Sequence, residues 1–312
     1  MSVFTQVSHK QLLKFLTLYD IGEVLDFQGI GEGVENSNFF VDTEQGRWVL
    51  TLFERLNYDD LPFFLGLMEH LADAGLPCAA PLKTKDGRSL VELNGKPAAM
   101  VHRLTGQSVL FPNVAQCRAA GELMGRMHKA TESFDGTAVN TRGAGWRRDT
   151  AQTLAAELPE DARKLIESEI QEQSSFDMTS LRQGVIHADM FRDNVLFIDD
   201  RLSGVIDFYY ACNEALLYDL AIAVNDWCMD THGAPEPGKV KAMTQAYVEQ
   251  RQPDDGEIAA WPMLLRAAAL RFYLSRLEDW LHPREGGIVH VKDPVVYQRI
   301  LEHHRDAPMA LF

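Results

Sequence analysis

Val185-Ile-His187-Ala-Asp189-Met-Phe-Arg192-Asp-Asn194-Val195-Leu-Phe-Ile198-Asp-Asp-Arg201-Leu202-Ser-Gly-Val-Ile206-Asp207-Phe208 sets two short apolar runs on either side of a polar turn. Val195 to Ile198 reads as one β-strand and Leu202 to Ile206 as the next, with Asp199, Asp200 and Arg201 turning the chain between them. A hairpin there brings Asn194 and Asp207 together at its open end. Asp189 precedes Asn194 by five residues, in a loop after the apolar pair Val185-Ile186. Two carboxylates and an amide therefore converge at the mouth of a hairpin.

That set suits a hard, oxygen-seeking cation such as Mg²⁺, which is held by one or two protein oxygens plus substrate phosphates. Asn194 and Asp207 supply such oxygens. Asp189 is left over, placed to orient or accept the proton of an attacking hydroxyl, the division of labour of kinase-type phosphoryl transfer. His187 reads as a structural hydrogen-bonding residue rather than a base. The bland alternative is an ordinary hairpin with acidic turns, and the combined spacing argues against it.

His187-x-Asp189-x-x-x-x-Asn194 followed by Ile206-Asp207-Phe208 resembles the catalytic and metal loops of the aminoglycoside phosphotransferase and choline kinase-like superfamily. The resemblance implies a two-lobed, protein-kinase-like α+β fold. An antiparallel small lobe would cover residues 1–103 and a mostly helical large lobe residues 104–312, with ATP-Mg²⁺ in the cleft. Upstream, Val24 to Gln28, Phe39 to Val41 and Trp48 to Phe53 read as strands, and Gly29-Ile-Gly31-Glu-Gly33 is a glycine-rich turn of the kind that lets backbone amides approach phosphates. Leu90 to Leu93 and Ala98 to Leu104 form a second strand pair around Asn94-Gly95. In a kinase-like fold the phosphates then fall to Gly31, Gly33, Asn36, Ser37 and Thr51, and adenine to backbone groups near Val101 and Arg103.

One position departs from the superfamily. Where its strand ends in Val-Leu-Lys, this chain has Val49-Leu50-Thr51. Read alone, the change suggests a pseudokinase, or a replacement cation such as Arg55, Arg192 or the metal itself. Glu69 is then a weak candidate for the usual lysine partner. The stretch from Glu32 to Val41, with Val49 to Glu54, is similar to the bacterial homoserine kinases of this superfamily, which share the threonine. The resemblance implies phosphorylation of the L-homoserine side-chain hydroxyl on the way to threonine. Rival acceptors are an aminoglycoside or choline, the latter needing an aromatic cage for which Tyr209, Tyr210 and Trp227 are candidates.

Thirty basic against forty-five acidic residues give a net charge of −15, which argues against nucleic acid or an anionic membrane as partner. The four cysteines have no C-x-x-C spacing, and the first residues show no basic-then-apolar signal pattern, so a reduced cytoplasmic protein is expected. Helices are expected at His9 to Tyr19 (capped by Ser8), Asp60 to Ala74, Val114 to Ala130, Leu158 to Gln171, Leu216 to Trp227, Lys239 to Arg251 and Ile258 to Leu281. The Leu158 helix reads as exposed, and 131 to 146 as a loop. His128 and the methionines beside it read as structural. Asp219 resembles the buried acid that steadies the catalytic loop. Asp226 opposes the dipole at its helix end, a misfit that marks it as partner for a substrate ammonium. Arg192 is assigned to the γ-phosphate or the substrate carboxylate. Arg271, in an apolar setting, is a second carboxylate candidate against a plain salt-bridge reading, and Tyr209 completes the substrate set.

Overall fold

The computed structural model describes residues 4–31, 36–283 and 292–312. They divide into two compact units between Thr105 and Gly106.

The N-terminal unit opens with α1 (His9–Leu16). Ser8 caps it in a reciprocal box with Gln11, so two otherwise unpaired backbone donors are satisfied at once. A sheet of β1 (Val24–Gly29), β2 (Ser37–Thr43), β3 (Gly46–Leu52), β4 (Val91–Leu93) and β5 (Lys96–His102) follows, in the order β1-β2-β3-β5-β4, antiparallel throughout. α2 (Leu61–Asp73) interrupts it between β3 and β4. Alternation decides which way each residue faces. Phe39, Val41, Trp48, Leu50 and Leu52 point to one side, where Leu12, Phe15 and Leu16 of α1 complete a core. Each such burial contributes about 1.5–3 kcal/mol. Thr51 is directly opposite Asn38 on the other face.

The C-terminal unit is mostly helical: α3 (Val114–Ala130), α4 (Ala144–Leu154) and α5 (Glu160–Gln173), then α6 (Leu216–Trp227), α7 (Pro237–Gln250), α8 (Asp255–Leu281) and α9 (Val295–Asp306). Between α5 and α6 lie β6 (Gln183–Ile186), the hairpin of β7 (Val195–Ile198) and β8 (Arg201–Val205), and β9 (Cys212–Ala215), which pairs with β6. Gly106 has a φ of +126°, and a Cβ there would strike the Ser203 side chain and come within 2.9 Å of the Phe197 carbonyl oxygen. Only glycine lets Gln107 exchange both backbone hydrogen bonds with Phe197, 2.9 Å each.

Three expectations change. α4 begins inside the stretch read as a loop, and α9 was not expected at all. α5 is not exposed: Leu165 and Ile166 are buried, and so is Glu169, whose carboxylate takes two hydrogen bonds from Arg266 of α8 at 2.7 and 3.1 Å. A buried carboxylate survives only with such a partner, and the partner is 97 residues away in sequence.

Candidate active site

The loop from His187 to Asn194 joins β6 to β7, and the start of α6 holds it. Asp219 accepts the His187 amide at 2.9 Å on one carboxylate oxygen and the Ala188 amide at 2.8 Å on the other. His128 of α3 meets Asp219 at 3.0 Å and Tyr247 of α7 at 2.9 Å with its two ring nitrogens. Burial pushes the Asp219 carboxyl upward, but His128 and the loop amides outweigh it and leave the group below its usual range. Ala188 sits in the left-handed region at φ 62°, costly for a residue with a Cβ. It is held there from both sides, its amide on Asp219 and its carbonyl on the Arg271 guanidinium at 2.5 Å.

His187 is wired as a neutral ring. Its Nδ1 accepts the Asp189 amide at 3.2 Å and its Nε2 donates to the Ile206 carbonyl at 3.1 Å, which fixes the tautomer. Burial lowers its pKa, in keeping with that state. The ring therefore ties the His187–Asn194 loop to the end of the hairpin, as the structural reading of His187 anticipated. The hairpin register pairs Val195 with Val205, and the Ile206 amide donates to the Asn194 carbonyl at 3.0 Å. Asp207 follows at φ 64°, ψ 61°, a left-handed turn that presents its exposed carboxylate. Asn194 donates its side-chain amide to the backbone oxygen of Asp189 at 2.8 Å and to its carboxylate at 3.1 Å. The asparagine thus turns its nitrogen toward Asp189 and keeps its oxygen for something else. Asp189 is pushed well above the usual carboxylate range, first by burial and next by the negative charge of Asp207. Two carboxylates and an amide oxygen with a charge deficit between them fit a divalent cation.

Just before Asn194 the same loop walls a cavity of about 420 Å³ within the C-terminal unit, through Arg192 and Asp193. Arg192 and Asp226 both line it. Asp226 is 7 % exposed, and one of its oxygens accepts the Arg192 amide at 2.9 Å and lies 3.6 Å from the Arg192 Nε. Burial raises the Asp226 carboxyl, against the pull of Arg192. Its helix end is not solvated, so the misfit with the dipole is real. Arg276 of α8 and Tyr297 of α9 line the same space. No sequence signal singled out Arg276 among the three arginines of α8. Tyr297, Ile300, Leu301 and His304 do carry helical spacing, which would have revealed α9.

Other candidates fall elsewhere. Arg271 is not among the cavity residues: it is 3 % exposed and bound to the Ala188 carbonyl, so it holds the His187–Asn194 loop. Tyr209 lies half-buried in the short turn after Asp207 and is not among the cavity residues. Trp227 is fully buried, with its indole nitrogen on the Met190 carbonyl at 3.0 Å, and cannot serve a choline cage.

In the N-terminal unit, Gly31 is exposed with open space where a Cβ would stand. Gly33 lies outside the described residues, and Asn36 is half-buried at their edge. Ser37 is part of the scaffold rather than free for a phosphate. It is fully buried, accepts the Phe4 and Thr5 amides at 2.9 Å each and donates to Glu54 at 2.6 Å. Thr51 donates to the Asn38 side chain at 2.8 Å. Val101 pairs with Val49 in the sheet, and the Arg103 amide is engaged by the Arg47 carbonyl at 2.9 Å while its guanidinium stacks on Phe40. Glu69 pairs with Lys83, so it is spoken for in the absence of a strand lysine, and Arg55 is exposed.

Comparison with known proteins gives this arrangement its context. The phosphotransferase enzyme family matches residues 26–261. The homoserine kinase of Methylobacillus flagellatus is 50% identical over 303 residues, which are 97% of this chain and 95% of that one. That of Methylobacillus glycogenes is 47% identical over 301 residues, 96% and 95% of the two chains. Among solved structures, an amicoumacin kinase in complex with AMP-PNP, Ca²⁺ and Ami superposes with a TM-score of 0.73 over 98% of this chain and 96% of that one. At 14% identity it shares the two-lobed kinase-like fold and nothing finer. The chain belongs to the phosphotransferase enzyme family, in the sequence group that these homoserine kinases form.

Proposed function

We propose that this protein is a homoserine kinase, transferring the γ-phosphoryl group of ATP to the side-chain hydroxyl of L-homoserine and releasing O-phospho-L-homoserine and ADP. One observation carries the reading: between Asp189 and Asn194 the same loop places Arg192 and Asp193 on the wall of a small, charged cavity. A space of about 420 Å³ is ample for one amino acid.

Asp189 orients the homoserine hydroxyl and accepts its proton as the new oxygen–phosphorus bond forms and the bridge to ADP breaks in line. Asn194 fixes the Asp189 carboxylate through its side-chain amide. The oxygens of Asn194 and Asp207 would hold Mg²⁺, which when bound supplies charge neutralisation at the phosphates. Gly31 and its neighbours serve the phosphates, with Thr51 in place of a lysine. Asp226 takes the substrate ammonium. The product feeds threonine synthesis, and four free buried cysteines are in keeping with a cytoplasmic setting. Among the described residues no helix is long and apolar enough to cross a membrane.

The test is an ADP-release assay with ATP and Mg²⁺, comparing L-homoserine with D-homoserine, L-serine, choline and kanamycin. Strong preference for L-homoserine is expected. Turnover of choline or kanamycin instead would overturn the substrate, and nucleotide binding without turnover of any alcohol would make Thr51 the mark of a pseudokinase.

A further inference from the structure

Two residues that line the cavity beside the catalytic loop carry a buried side-chain atom without a partner among the described residues: the Tyr297 hydroxyl, on a ring that is 1 % exposed, and the Nε of Arg276. Asp226, on the same wall, makes its contacts through one carboxylate oxygen alone. Buried polar groups left unpaired cost about 1–3 kcal/mol each, so two beside one space call for an explanation.

The cations around this space are not equivalent. Arg192 lies against Asp226, and Lys292 is paired with Asp193 at 2.6 Å. Arg276 has no carboxylate among the described residues. It donates one hydrogen bond to the Asp293 carbonyl at 3.1 Å, and its guanidinium lies over the Tyr297 ring at 4.4 Å. The Tyr297 ring is locked in turn. It packs on Phe272 of α8 with ring centres 5.4 Å apart, and on Phe191 of the catalytic loop at 6.2 Å, with planes nearly parallel. A rigid hydroxyl and a stacked guanidinium therefore stand side by side, in the lining of the cavity that also carries the half-paired carboxylate of Asp226. Water can fill such a site but brings no charge to Arg276, which has no carboxylate among the described residues, or to Asp226, which has Arg192 on one oxygen only. A zwitterion complements both.

We propose that Arg276 and Tyr297 bind the α-carboxylate of the amino-acid substrate while Asp226 binds its ammonium. The cavity then selects an alcohol carrying both a free amine and a free carboxyl. This rests on the assignment of homoserine as substrate and adds the residues that recognise it. Arg276 and Tyr297 are specificity-determining residues, and the Phe191–Tyr297 stack couples their position to the loop that carries Asp189.

The experiment compares L-homoserine with 3-amino-1-propanol, the same molecule without its carboxylate, and 4-hydroxybutyrate, the same molecule without its amine. Arg276→Gln is expected to raise the KM for L-homoserine about 100-fold, the scale of one or two lost charged hydrogen bonds, while kcat/KM for 3-amino-1-propanol changes less than about 3-fold. Tyr297→Phe, which keeps the ring packing, is expected to raise the homoserine KM about 10-fold with the KM for ATP unchanged. Asp226→Asn should weaken L-homoserine and 3-amino-1-propanol together and spare 4-hydroxybutyrate. Equal losses with L-homoserine and 3-amino-1-propanol in Arg276→Gln, or a homoserine KM within about 2-fold of wild type, would overturn the assignment while leaving the functional reading intact. Absence of wild-type turnover with L-homoserine would overturn both.

Discussion

Asp219 and Asp226 stand about two turns apart on the same buried helix, α6, and their carboxyl groups are displaced in opposite directions. At the start of the helix Asp219 is saturated: two loop amides and a histidine ring meet its two oxygens. Near the end, Asp226 has one amide and a loosely placed guanidinium on a single oxygen and faces a cavity. Both are buried, so burial alone does not explain the difference. A carboxylate whose partners are all supplied by the fold is part of the scaffold. One whose partners are left incomplete beside a cavity has room for a ligand. Between them they frame the catalytic loop, with its strained Ala188 on the saturated side and Arg192 on the open side.

Substitutions separate the two acids. Asp189→Asn, in the loop that both acids frame, is expected to lower kcat by about 10³-fold, the usual reach of a positioned proton acceptor. Nucleotide binding, followed by calorimetry, should persist. Retention of near-full turnover would remove Asp189 from the chemistry. Next comes Asp219→Ala, which strips a buried network and should destabilise the protein by about 3–5 kcal/mol. That corresponds to a fall in Tm of about 10 °C in thermal melts, with activity lost as the loop loosens. Asp226→Asn should raise the homoserine KM about 100-fold and leave Tm unchanged or higher, since it removes a buried charge the fold leaves half-paired. If Asp219→Ala and Asp226→Asn proved equally destabilising, the distinction between scaffold and ligand site would collapse.

The smallest effect is in pH dependence, and its sign differs between the two acids. A depressed pKa makes Asp219 a source of stability above its unfolded pKa that is lost as pH falls through the folded one. The raised pKa of Asp226 does the reverse: its contribution is present below the unfolded pKa and is lost as pH rises through the folded one. Around Asp226, Asp193 adds to the effect of burial, whereas Arg192 and Lys292 oppose it. Protonation of Asp226 removes the ammonium partner, so the KM for L-homoserine should rise on the acid side of its profile. In Asp226→Asn that acid limb should flatten, with the KM for ATP as the control. Persistence of the limb would assign it to another group.

The grouping of the candidate catalytic residues was legible in the chain itself. His187, Asp189, Asn194 and Asp207 fall within one strand–loop–hairpin, so local geometry brings them together whatever surrounds them. The small sheet was legible for the same reason, because alternation and the Asn94-Gly95 turn are short-range signals. Asp226 stood out because a negative charge at a helix end conflicts with a local rule. Ser37 misled, since a serine beside a glycine-rich turn looks the same whether it faces a phosphate or holds Glu54. Arg271 misled in the same way: an arginine among apolar residues needs an acceptor, and its sequence cannot say that the acceptor is the Ala188 carbonyl, 83 residues away.

The proposed chemistry is local in the chain: a motif contained in one strand–loop–hairpin, with a threonine at position 51 that narrows the kin of the chain. The proposed recognition is not local and depends on packing. Arg276 on α8, Tyr297 on α9 and Asp226 on α6 meet around one cavity through packing between helices far apart in the chain. No periodicity or spacing encodes such a meeting, because side-chain direction across elements is fixed only once all of them have packed.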